Sequence, residues 1–176
     1  MRLFIAVEIP DDARDKIAKL QGDIPREGLK FVEKENLHMT LAFLGEVEEG
    51  KKDELVRALE RIKSEKFNMK LVGMGAFPSE SYIRVVWVGI ESEGLKKLHA
   101  LVNEVLRALH FKTESYSPHL TLARVKEKPS AELRAFIARN EGVSLGECEA
   151  REFFLKRSTL TPKGPVYENV SAFALI

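Results

Sequence analysis

Two short segments of the sequence carry the same residue types, His-Met-Thr-Leu at residues 38–41 and His-Leu-Thr-Leu at residues 119–122. They use two of the four histidines and lie nearly half the chain apart. Residues two apart on a strand point the same way, so each segment presents an imidazole beside a hydroxyl. One imidazole can take a proton while the other gives one, and the hydroxyls can hydrogen-bond an anionic oxygen. These groups suit in-line attack at a phosphodiester that needs no metal.

The remaining polar candidates are less closely tied to the two motifs. Arg124 follows His119 by five positions, so a regular strand places it on the opposite face. It reaches the same site only if a bulge or the strand end reverses the alternation. We expect His99 and His110, which lack the motif, to be structural or at the surface, and Lys163 to be solvated.

Six aromatic residues are candidates for stacking on a nucleobase: Phe4, Phe43, Phe77, Tyr82, Trp87 and Tyr116. Most of these side chains are expected in the core. Tyr82, which adjoins a turn, and Tyr116, which precedes the second motif, are the ones expected to reach a cleft. Arg84 can share the face of Tyr82. A plain surface position is the alternative for Tyr82, Arg84 and Tyr116.

Apolar periodicity predicts the elements that must position these residues. Strands are expected over residues 3–9, 29–32, 38–44, 67–77, 82–90 and 119–125. Two or three final strands are expected around residues 143–149, 152–161 and 167–175. Helices are expected over residues 11–22, 51–63, 95–109 and 130–139, and a turn or loop over 161–165. Adjacent strand pairs favour an α+β fold with antiparallel sheets over a doubly wound parallel sheet. The repeated motif predicts two related lobes that share a cleft, within a single domain spanning residues 1–176.

Composition narrows the class of protein. The chain has 176 residues, with 28 Lys plus Arg against 27 Asp plus Glu, a formal net charge of +1. A broadly basic protein that coats nucleic acid is therefore disfavoured. The single cysteine, Cys148, cannot form an intrachain disulfide, and no metal-ligand spacing occurs. No signal peptide or membrane-length apolar stretch is present, so a cytoplasmic domain without membrane contact is expected.

The motifs and their flanks resemble the two-histidine (2H) phosphoesterase superfamily. The similarity is greatest to its RNA 2′,3′-cyclic phosphodiesterases, also called 2′-5′ RNA ligases or LigT-like proteins. It covers almost the whole chain. It includes MRLFIAVEIP at residues 1–10, HMTLAFLGEV at 38–47, YIRVVWVGI at 82–90, PHLTLARV at 118–125 and LTPKGPVYE at 160–168.

This resemblance implies a bilobal α+β fold in which two antiparallel sheets with flanking helices form a central cleft, with one motif on each lobe. It implies cleavage of RNA 2′,3′-cyclic phosphate ends to 2′-phosphates without metal or cofactor. His38 and His119 would be the acid–base pair, and Thr40, Thr121 and Arg124 would hold the phosphate. Some members of the family also join RNA ends through a 2′-5′ linkage.

The implied partners are RNA termini, with tRNA halves among the candidates, and a monomer is expected. As a hypothesis, His38 protonates the departing 3′-oxygen while His119 activates water. The symmetry of the motifs leaves the reverse assignment open. Two other functions also remain open: a 2H phosphodiesterase acting on another cyclic or 2′-5′-linked nucleotide, and a non-catalytic protein that binds RNA ends.

Overall fold

The computed structural model describes residues 1–176. Its strands are β1 Arg2–Glu8, β2 Leu29–Phe31, β3 His38–Glu46, β4 Phe67–Pro78, β5 Ile83–Glu91, β6 His119–Val125, β7 Ser144–Ala150, β8 Glu152–Thr161 and β9 Gly164–Ala174. Its α-helices are α1 Asp11–Asp23, α2 Glu49–Leu59, α3 Glu93–Ala108 and α4 Ala131–Arg139. One 3-10 turn, Lys34–Asn36, leads directly into β3. Every strand and helix expected from periodicity is therefore present, in the expected order.

The end of α2 differs from the prediction. The sequence predicts a helix to residue 63, whereas α2 ends at Leu59. The backbone N–H groups of Arg61 and Ile62 bond three residues back, to the carbonyls of Ala58 and Leu59. The last predicted turn of the helix is therefore wound more tightly than an α-helix.

The start of β9 also differs from the prediction, because pairing of β8 with β9 continues to the Thr161–Gly164 pair. Gly164 has a φ of 131°, which disfavours other residues. The Thr161 hydroxyl donates to the Gly164 carbonyl at 2.6 Å. The connection predicted as a turn or loop over residues 161–165 is therefore a tight hairpin turn that leaves only residues 162–163 outside the strands.

The strands form two antiparallel sheets, which confirms the α+β prediction. The four-stranded sheet has the order β3-β1-β8-β9, and the five-stranded sheet has the order β2-β6-β5-β4-β7. One motif strand belongs to each sheet. β3 and β6 approach each other where the sheets meet, with Cα positions within 8 Å. The two motifs are therefore brought together although they are distant in sequence.

Apolar burial holds the two sheets in one body. α1 packs against β7, α3 and α4 pack against β4, and α2 packs on α3. All but four of the buried apolar residues belong to one contiguous cluster of 37, which includes members of both sheets and all four helices. This continuity agrees with a single domain over residues 1–176, which stays a prediction. None of the helices combines the length and apolar character that a membrane crossing needs.

A polar contact also links the two sheets at one edge. The ammonium of Lys30 on β2 donates to the backbone carbonyl of Lys163, in the turn between β8 and β9, at 3.3 Å. The hairpin of the four-stranded sheet thus reaches the edge strand of the five-stranded sheet. Lys163 itself is exposed, as the sequence predicts.

Candidate active site

Both motif strands contain a bulge at the same position. In β3, Thr40 and Ala42 pair with consecutive residues of β1, so Leu41 is an extra residue. In β6, Thr121 and Ala123 pair with consecutive residues of β5, so Leu122 is an extra residue. Each extra leucine is buried and is followed by a buried alanine. An extra residue reverses the alternation of faces beyond it, so the third residue after each threonine returns to the face of the histidine.

His38 is largely enclosed by protein. Its Nδ1 lies 2.6 Å from the Asn36 carbonyl, which can only accept, so Nδ1 carries the hydrogen. Its Nε2 lies 3.0 Å from the Thr40 hydroxyl, which therefore donates to it. The rings of Phe4 and Tyr167 lie 5.1 and 5.2 Å from the imidazole, centroid to centroid.

Burial is the main cause of an unusual pKa for His38. Desolvation lowers the pKa to about 4, and the nearby charges of Lys156 and Arg14 act in the same direction. The hydrogen bond to Asn36 and the charge of Glu8 oppose the shift. At neutral pH the ring is therefore uncharged, with the lone pair on Nε2.

His119 has the same backbone anchor in a more open setting. Its Nδ1 donates to the Ser117 carbonyl at 2.7 Å, so its Nε2 is also the atom left for chemistry. The ring of Phe77 meets the imidazole edge-on, with centroids 4.8 Å apart. Thr121 is half-buried on the same face of β6. The structure therefore presents two imidazole–hydroxyl pairs from two sheets, each with Nε2 free of the backbone.

The bulge at Leu122 brings Arg124 to this face. The sequence left Arg124 on the opposite face unless a bulge intervened, and the structure supplies that bulge. Burial raises the pKa of the Tyr167 phenol, while the charge of Arg124 opposes that rise. Arg124 thus acts electrostatically on the residue that packs against His38. It is exposed and forms no salt bridge.

Phe43 occupies the matching position on β3. It follows Thr40 by three residues, as Arg124 follows Thr121, and its side chain is 55% exposed. The expectation that Phe43 lies in the core is wrong, because the bulge at Leu41 turns it outward. A Leu-Ala dipeptide follows each threonine, but regular alternation alone gave no sign that its leucine is an extra residue.

Tyr82 and Arg84 lie together at the end of the β4–β5 hairpin. Tyr82 is 56% exposed, the Arg84 Nε donates to its hydroxyl at 3.0 Å, and the guanidinium lies 5.0 Å from its ring centroid. Val85, next along β5, is the cross-strand partner of Arg124. The pair therefore lies near the Arg124 end of the motif strand, and Tyr82 keeps an open ring face.

Tyr116 is directed elsewhere. Its ring packs against buried His99 with centroids 5.2 Å apart, and its hydroxyl donates to the Ser92 carbonyl at 3.4 Å. The structure thus places Tyr116 in the packing around α3 and not beside the motifs. His99 also lies 3.4 Å from the Asn103 amide, which agrees with a structural role.

Trp87 supports the second motif from the neighbouring strand, where it pairs with Thr121. Its ring lies over Gly75, and a Cβ at that position would overlap the indole. Gly75 therefore cannot be replaced without displacing Trp87. No group of three His, Cys, Asp or Glu side chains is arranged to hold a metal ion.

Comparison with known proteins agrees with this geometry. The family model described as LigT like Phosphoesterase matches the chain twice, over residues 7–87 and 88–167, with one motif in each match. The protein from Methanocaldococcus jannaschii named RNA 2′,3′-cyclic phosphodiesterase is 43% identical over 170 residues, covering 96% of this chain and 97% of its own.

Solved structures give the same assignment. A crystal structure of a Thermus thermophilus protein has a TM-score of 0.84 and 35% identity, covering 99% of this chain and 98% of its own. E. coli LigT, crystallised with 3′-AMP, has a TM-score of 0.83 and 28% identity, covering 99% and 97%. The chain described here therefore belongs to the family of LigT-like phosphoesterases.

Proposed function

We propose that the protein hydrolyses RNA 2′,3′-cyclic phosphate ends to 2′-phosphates by a two-histidine, metal-independent mechanism. The observation that carries the proposal is the pairing of two imidazole–hydroxyl sets on β3 and β6, each with Nδ1 bound to a backbone carbonyl. The relatives named RNA 2′,3′-cyclic phosphodiesterase support the choice of substrate. His38, Thr40, His119 and Thr121 are the proposed central residues.

The surroundings of the two histidines favour one division of roles. With its pKa lowered to about 4 by burial, His38 is uncharged at neutral pH and suited to accept a proton. This leaves His119 as the proton donor. The assignment is the reverse of the hypothesis drawn from the sequence, where the symmetry of the motifs left both directions open.

In the proposed reaction, His38 Nε2 takes a proton from water as the water oxygen forms a bond to phosphorus. The bond between phosphorus and the ribose 3′-oxygen breaks, and His119 gives that oxygen its proton. The product carries a 2′-phosphate. Thr121 and Arg124 donate to the non-bridging oxygens, where donors stabilise the charge that develops. Thr40 joins them by turning its hydroxyl hydrogen away from His38 Nε2, which frees that lone pair for the proton of water.

The same groups are compatible with RNA joining. If a 5′-hydroxyl of a second RNA replaces water, the same two proton transfers produce a 2′-5′ linkage. The near-neutral net charge of +1 fits recognition of an RNA terminus, such as that of a tRNA half, more than binding along a backbone. We further propose that the enzyme acts as a cytoplasmic monomer and that Tyr82 contacts a base.

The test is to incubate the protein with an RNA ending in a 2′,3′-cyclic phosphate and to identify the terminal phosphate. A 2′-phosphate formed equally with and without EDTA is the expected result. A 3′-phosphate, or activity lost with EDTA, would contradict the mechanism. Binding without any product would indicate an RNA-end-binding protein instead.

A further inference from the structure

Lys156 on β8 stands out among the charged residues. Of all Lys, Arg, Asp and Glu side chains, it alone is buried, at 6% exposure. Its ammonium donates to the Glu8 carboxylate and, at 2.6 Å, to the Asn169 side-chain oxygen. Burying a lysine is costly even when it is paired, and an apolar side chain of similar volume is often equally stable. The position of this charge therefore calls for a reason other than folding.

The strand register of the four-stranded sheet places Lys156 and Glu8 beside the first motif. Glu8 is the cross-strand partner of His38 on β3. Lys156 pairs with Phe4, whose ring packs on His38. Between Phe4 and Glu8 lies fully buried Ala6, the partner of Thr40. The Lys156 side chain therefore lies on the same face of the sheet as His38.

We propose that Lys156, held by Glu8 and Asn169, is a positioning residue that neutralises the Glu8 carboxylate beside the first motif, so that this carboxylate does not draw a proton onto His38. This inference rests on the proposed function, in which His38 is the base. The cation does not touch the imidazole. It acts by neutralising the Glu8 carboxylate, which would otherwise favour a charged ring, and by adding its own repulsion.

The other groups around His38 do not replace this effect. Arg14 of α1 adds a weaker repulsion, and it is itself paired with Asp11 at 3.7 Å. Tyr167 of β9 is uncharged at neutral pH, since burial raises its pKa further. Across the site, β6 carries His119 and Arg124. Lys156 disfavours a charged His38 ring and Glu8 favours one. Replacing each residue in turn therefore measures the two effects separately.

The charges predict opposite effects for single substitutions. Lys156→Met leaves Glu8 unpaired and should raise the pKa of His38. Glu8→Gln leaves Lys156 in place and should lower it. The double variant Glu8→Gln/Lys156→Met removes both charges and should return the value towards that of the unmodified protein, as should Lys156→Arg.

The experiment is an NMR titration of the His38 ring protons, assigned with His38→Ala, together with the acid limb of kcat/KM on cyclic-phosphate RNA. We expect both to move to higher pH in Lys156→Met. The control Arg151→Met breaks an exposed pair with Glu149 and should move neither. If Lys156→Met does not fold, Glu8→Gln and the double variant give the same comparison.

A His38 titration that is unchanged in folded Lys156→Met would overturn the inference. So would an equal loss of kcat/KM at every pH, which would indicate direct contact with the phosphate or a structural role. The titration needs no substrate. A shifted His38 in a protein that hydrolyses no cyclic phosphate would therefore refute the proposed function while leaving the electrostatic role of Lys156 in place.

Discussion

β3 and β6 carry the same motif and the same bulge, yet their surroundings differ. His38 lies among Phe4, Tyr167 and the Lys156–Glu8 pair, and its Nε2 already accepts from Thr40. His119 meets only the edge of Phe77, and its Nε2 has no protein partner. One strand ends its site with Phe43 and the other with Arg124. The same backbone arrangement thus surrounds its histidine with different neighbours in the two strands, as the proposed division into base and acid requires.

The largest effect should come from removing either imidazole. We expect His38→Ala and His119→Ala each to lower kcat on cyclic-phosphate RNA by roughly 10²–10⁴-fold, because each removes one proton transfer. Steady-state assays with a circular dichroism check on folding measure this. His110→Ala, which changes a histidine outside the motifs, is the control. Full activity in either motif variant would end the two-histidine proposal.

Substitutions of Arg124 and Phe43, each three positions after a motif threonine, should have different kinetic effects. Arg124 offers a charge, whereas Phe43 offers an aromatic ring. Arg124→Gln should lower kcat by roughly 10²-fold, since it removes a donor to the reacting phosphate. Phe43→Ala should raise KM by roughly tenfold with kcat retained, the size expected for a lost base–aromatic stack. Saturation kinetics on the same RNA distinguish the two. If both variants changed only KM, the difference drawn between the two strands would be wrong.

The next effect in size is the pH dependence of stability, which should report the burial of His38. His38 has a pKa of about 4 when folded against about 6.5 in an unfolded chain, so the unfolded state binds more protons between these values. Stability is therefore expected to fall as the pH drops from about 6.5 to 4. Thermal unfolding of His38→Asn should depend less on pH across this window. An identical pH dependence in His38→Asn and the unmodified protein would argue against the burial effect.

The smallest effect concerns the helices. α3 and α4 begin with serine side chains, Ser92 and Ser130, that accept from backbone N–H groups three residues on, whereas α1 and α2 have no side-chain cap. Ser130→Ala should cost about 1 kcal/mol of unfolding free energy without changing kcat. Urea denaturation measures it. The same change at Ser115, which is exposed and forms no side-chain hydrogen bond, is the control and should cost less.

Much of this organisation could be predicted from sequence. Periodicity located all nine strands and four α-helices, because their buried faces repeat regularly, as in α3 with Leu98, Val102 and Leu106. The repeated His-x-Thr word located the site. What periodicity could not show is a bulge, because one extra residue leaves no compositional mark. Phe43 was therefore expected in the core.

The environment of His38 was equally hidden from the sequence. Glu8 and Lys156 are remote in the chain, and nothing in the local sequence of either shows that their side chains meet beneath the site. The expected position of Tyr116 in a cleft differs from its position in the structure for a similar reason. Its proximity to His119 in sequence says nothing about Ser92 and His99 on the other side of its ring.

The paired bulges have a consequence for how such a site can change over time. In each strand the extra leucine separates the His-x-Thr pair from a single position that returns to the same face of the strand. That position holds phenylalanine in one copy and arginine in the other, while the histidine and threonine before it are the same. One substitution at such a position changes the chemistry offered on this face without altering the imidazole–hydroxyl pair.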